Sequence, residues 1–136
     1  MDRVIVYSNA LPQDTDVLQP QVNAAAAQAK YTALIDGGLT ITSTSTPEVN
    51  GTYGTAASDQ ANFNAMQTYV LTNGTLEQTP QPWVLESGAP VMIPSTAIFK
   101  EISTAAANFV TNAKVAEAEA AAGQSASWPS SSVSVP

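Results

Sequence analysis

Trp83-Val84-Leu85-Glu86-Ser87-Gly88-Ala89-Pro90-Val91-Met92-Ile93 reads as two short apolar strands, 83–85 and 91–93, joined by a turn rich in Ser, Gly and Pro. Pro94-Ser95-Thr96 follows at once and opens a helix over residues 96–122. Ile98, Ile102, Ala105, Phe109, Ala113 and Ala116 recur on its inward face, and Gly123 ends it. On the other side of the hairpin, Ser58-Asp59 offers an N-cap for a helix over residues 59–72. Phe63, Met66, Tyr69 and Val70 share its apolar stripe, and Asn73-Gly74 stops it. Residues 58–123 are therefore predicted to form a helix–hairpin–helix domain, which makes the chain α+β.

Upstream, residues 19–57 form a connector of helix and strand. Pro20 suits a first helical turn, and residues 21–35 are alanine-rich, with Val22, Ala25, Ala26, Ala29 and Ala33 at helical spacing. An alanine face buries little area but lets a neighbouring helix approach closely, so this helix is expected to pack in a bundle completed by other copies. Gly37-Gly38 ends it, and Leu39-Thr40-Ile41-Thr42-Ser43-Thr44 alternates with the period of a half-buried strand. Asn50-Gly51 between β-forming residues signals a tight turn, although the Ser, Thr and Gly density over 42–58 also fits a linker.

Residues 1–18 read as an arm. Arg3-Val4-Ile5-Val6-Tyr7 has strand chemistry, and Ser8 to Asp16, with Leu11-Pro12, reads as a turn region. The arm strand either adds to the sheet edge of another subunit or forms an edge of the chain's own small sheet. Residues 124–136 carry too little apolar mass to fold alone, so they are expected to be disordered or laid onto a partner, with Trp128 as the anchor.

Of the 136 residues only 11% are charged, against roughly 25% in average soluble proteins. Thr, Ser, Asn and Gln occupy places where a free monomer carries ions, and charge depletion is what the centre of an interface requires. A secreted or adhesive surface protein shares that habit. With four basic and eleven acidic residues the net charge is −7, which argues against nucleic acid and against an anionic membrane surface. No apolar run approaches the ~20 residues of a membrane span, and the first residues lack a secretory signal, so synthesis in the cytoplasm without export is expected.

Histidine and cysteine are absent, which removes the commonest general base, the thiol nucleophile and the nitrogen and sulfur metal ligands. No cofactor and no metal are expected. Glu77 and Glu86, flanking the tryptophan-bearing strand, are the best carboxylate pair for glycoside chemistry, but their spacing fits solvated loop acids better. Asp14 and Asp16 lack the twelve-residue calcium-loop pattern and read as turn acids. Asn50-Gly51-Thr52 and Asn73-Gly74-Thr75 match a glycosylation acceptor yet read as turns, and Glu117 and Glu119 read as a solvated helix face.

Two stretches carry a family resemblance. Asp2-Arg3-Val4-Ile5-Val6-Tyr7 followed by Ala10-Leu11-Pro12-Gln13-Asp14-Thr15-Asp16-Val17-Leu18 resembles the N-terminus of a group of phage tail and baseplate proteins. Tyr53 to Gly123 is similar to a small domain of unknown function in phage tail-fibre and tail-fibre-assembly proteins. It shares an Asp59-Gln60-opened helix, a Trp83-led hairpin and a helix from Ser95 or Thr96. The sequence departs from that plan at Glu86-Ser87-Gly88, where the family has an acidic residue directly before glycine, and in its alanine-rich last helix.

The resemblance implies virion attachment through residues 2–18 and carries over no catalytic residue. A non-enzymatic tail-fibre or baseplate component is therefore expected, located in the virion. Val4, Ile5, Val6, Tyr7, Leu11, Pro12 and Trp128 would dock on other tail or baseplate proteins while the helices self-associate into a homo-oligomer. The alternatives are a capsid decoration or head-fibre protein, a tail-fibre assembly chaperone, and a carbohydrate module built on Trp83 with Glu77 or Glu86.

Overall fold

The computed structural model describes residues 13–136, with side chains from Leu18 onward. The first helix, α1, runs Gln13–Gly37 and so begins earlier than the predicted 21–35. Asp14 and Asp16 lie in its opening turns and not in a loop; exposed N–H groups at a helix start favour acidic residues there. Pro20 consequently sits inside the helix, where it removes one backbone donor. The buried side of α1 is Ala27 and Ile35 with half-buried Tyr31 and Leu34. The predicted face of Val22, Ala25, Ala26, Ala29 and Ala33 is exposed. Bulkier side chains remove more apolar area from water, so Tyr31, Leu34 and Ile35 take the inward side with Ala27 between the helices, and Ala25, Ala26, Ala29 and Ala33 stay outside.

Gly38 turns the chain from α1 into a strand. Its φ of +79° suits glycine, and a Cβ there would stand 2.7 Å from the Tyr53 carbonyl oxygen. Strand β1, Leu39–Ser43, buries Leu39, Ile41 and Ser43 as its alternation predicts. A short 3-10 turn, Pro47–Val49, leads to β2, Gly51–Tyr53, which pairs antiparallel with β1. The connection is wider than a two-residue hairpin. Asn50 closes it, its Oδ1 accepting from the Ser43 N–H at 2.6 Å. Residues 42–58 are thus ordered structure rather than linker. Tyr53 is fully buried and donates its hydroxyl to the Val49 carbonyl at 2.6 Å.

Helix α2, Ala57–Asn73, starts two residues before the predicted 59, because the Asp59 carboxylate accepts from the Ala56 N–H at 3.2 Å. It ends at Gly74 in the left-handed conformation. Strands β3, Gln81–Val84, and β4, Pro90–Ile93, form the predicted hairpin. Helix α3, Thr96–Ala121, is capped by Ser95, whose Oγ accepts from the Ile98 N–H at 3.2 Å. It buries Phe99, Ile102, Ala106, Phe109, Ala113 and Ala116. Phe63 of α2, Trp83 of β3 and Phe99 of α3 meet as an aromatic cluster, with ring centroids 4.8 to 6.2 Å apart. Among the described residues, no helix is long and apolar enough to cross a membrane.

The C-terminal residues depart from both expectations. Ser132–Val135 is a strand, β5, that pairs in parallel with β1 and gives the sheet order β2-β1-β5. Val135 enters the core, and Ser43 Oγ donates to the Pro136 carbonyl at 2.6 Å. The tail needs no core of its own because it borrows one from β1 and α3. The fold is α+β, with α1 and α3 packed together and two small sheets around them.

Candidate functional site: a sheet-edge groove and an acidic aromatic groove

Of the residues expected to dock, Val4, Ile5, Val6, Tyr7, Leu11 and Pro12 lie outside the described residues. Trp128 is half-buried on its own chain, with Lys30 Nζ 5.2 Å from its ring centroid. Its indole thus anchors the tail to α1 through a cation–π contact. Lys114 Nζ stands likewise 4.8 Å over Tyr31, the next residue of α1, and lies 3.9 Å from Glu117. These contacts set the course of the tail: it starts beside the C-terminal half of α3 and runs back along β1.

β2 has its outer edge engaged, since the Glu86 N–H donates to the Thr52 carbonyl at 2.9 Å. β5 has no strand on its other side among the described residues. The Thr40 N–H donates to Ser131 and the Thr44 N–H to Val135, so odd-numbered residues of the tail face β1. The backbone groups of Ser132 and Ser134 therefore point away from it. A groove of about 640 Å³ lies between β5 and the flank of α3. Lys100 and Glu101 at one end, and Thr104, Asn108 and Asn112 beyond them, are the polar side chains of its helical wall, while β1 contributes Leu39 alone. Glu101 Oε1 is buried there and makes no hydrogen bond among the described residues.

Sequence reasoning missed this wall. Its signal was present in α3: a second stripe at i, i+3, i+7 and i+11 carries mostly short polar side chains where a solvated helix face would carry long charged ones.

The second groove, about 600 Å³, is lined by Glu77 and Glu86, by Trp83, and by Asp59, Met66 and Tyr69 of α2. The carboxylate pair singled out in the sequence therefore does share a surface. Both glutamates are exposed. One side of the indole is taken up by its stacking on Phe63 at 4.8 Å. A general acid for glycosidic cleavage depends on a carboxyl held in a water-poor setting, and this groove offers Glu77 and Glu86 none.

A third surface is the outer side of α1. At 100° per residue, Leu18, Val22, Ala25, Ala26, Ala29 and Ala33 fall within one stripe, opposite Ala27 and Leu34. Leu18 is 49% and Val22 56% exposed. No family model, no curated protein and no solved structure shows a significant similarity to this chain.

Proposed function

We propose that the chain is a non-enzymatic structural subunit of a phage-type tail, a tail-fibre or baseplate-attached component that works by docking onto neighbours and copies of itself. The observation that carries this reading is the apolar outer stripe of α1, from Leu18 to Ala33, which is exposed and free of charge. An uncharged helix face of small residues accepts a second helix at close range, and solvation alone gives no reason for it. The assignment to a tail rests only on the motifs read in residues 2–18 and 53–123 of the sequence.

Light scattering on the purified chain tests the reading. An oligomer is expected, with a shift toward monomer on Val22→Asp combined with Ala29→Asp, both outside the folded core. A wild-type chain that stays monomeric at high concentration would overturn it. Deleting residues 1–18 is expected to abolish incorporation into particles, and normal incorporation would remove the attachment role.

A further inference from the structure

β5 is an edge strand without lysine or proline between Ser132 and Val135, the devices that commonly blunt such edges. Three backbone groups face outward there: the Ser132 carbonyl and the N–H and carbonyl of Ser134. The Ser132 N–H is already held by Ser130 Oγ at 3.1 Å. Beside them runs the groove against α3, and at its far end sits the unpartnered oxygen of Glu101. An extended segment adding to β5 would satisfy the backbone groups, fill the groove with alternate side chains and, if basic at one end, reach the carboxylate.

The chain contains one segment of that description, Arg3-Val4-Ile5-Val6-Tyr7, β-branched throughout its middle and led by the only arginine in the sequence. Its own groove lies beyond its reach. The near end of the groove, by Asn112, lies close to the level of Tyr31, 18 helical residues from Gln13, or about 27 Å along α1. Tyr7 is six residues from Gln13 and spans at most about 20 Å even when extended. The donor must come from another molecule.

We propose that Arg3–Tyr7 of one copy adds as an antiparallel strand to the open edge of β5 in the next copy, between β5 and α3, with Arg3 beside Glu101. This rests on the assembly reading above and names the neighbour as a second copy of this chain. The antiparallel direction follows from the site: β5 runs from the Asn112 end of the groove toward Glu101, and an arm leading with Arg3 at Glu101 runs the other way. Val4 then stands opposite Ser134 and Val6 opposite Ser132, which puts Arg3 and Ile5 on the face of Val135 and Val133, toward α3. The contact joins unlike surfaces, so it propagates head to tail and closes into a ring or extends as a filament.

The absence of cysteine makes the test clean. Full-length chains carrying Val4→Cys are mixed with chains carrying Ser134→Cys under mild oxidation. As control, the second chain carries Ser58→Cys, an exposed position on α2. Directly opposed strand residues bring their Cβ atoms to about 5 Å, close enough for a disulfide, so the heterodimer of position 4 with position 134 should form at least about tenfold faster than the control. Adding Arg3→Glu to the donor should remove that advantage. Cross-linking no faster than with Ser58→Cys, or unaffected by Arg3→Glu, would overturn the proposal. If the wild-type chain is still oligomeric by light scattering in that event, only the strand exchange falls; a monomer removes the assembly reading with it.

Discussion

Tyr53 is the buried group whose chemistry is most exposed to measurement. Burial pushes its phenol up to about 12 from an ordinary 10. The charged phenolate is the form that the core rejects, so the folded state holds the proton more tightly than the unfolded chain does. Stability from this source is complete below pH 10 and is lost as pH rises through 10 toward 12. Two pKa units correspond to roughly 3 kcal/mol, a large part of the 5–15 kcal/mol that holds a domain together.

Tyr53→Phe removes the titration and also the bond to the Val49 carbonyl, at a cost of about 1 kcal/mol near neutral pH. Urea unfolding of both proteins between pH 8 and 12 should therefore show wild type more stable at pH 8. The difference should close and then reverse above pH 10, with the comparison cancelling the general repulsion at high pH. Absorbance titration should show a phenol ionising well above pH 10 in the wild type that is missing from Tyr53→Phe. Parallel stability curves for the two proteins across this range would refute the argument.

Phe99→Ala should destabilise by about 3–5 kcal/mol in urea unfolding, because it empties a fully buried site and breaks contacts with both Phe63 and Trp83. Ser95→Ala should cost about 1 kcal/mol by the same assay, and Ser95→Asp should restore most of it, since either side chain can accept from the Ile98 N–H. Deleting residues 128–136 should leave the β3–β4 hairpin intact. Hydrogen exchange should then show protection of the Thr40 and Thr44 amides falling by roughly tenfold or more, as their acceptors on Ser131 and Val135 are gone.

Local chemistry was enough to read the helix–hairpin–helix unit. Asn73-Gly74, Glu86-Ser87-Gly88 and Pro94-Ser95 are stop, turn and cap signals whose action depends on backbone conformation within a few residues. The scarcity of charge and the lack of histidine and cysteine were equally plain from composition. Three things were decided only by packing between distant segments. The inward side of α1 was misread because five alanines and valines outnumber Tyr31, Leu34 and Ile35, whereas burial is ranked by area and not by count. Ser132–Val135 became a strand only because β1 offered it an edge about ninety residues away, a non-local pairing that no local signal announces. The groove beside it, with Glu101 at its end, exists only once α3 and β5 lie side by side.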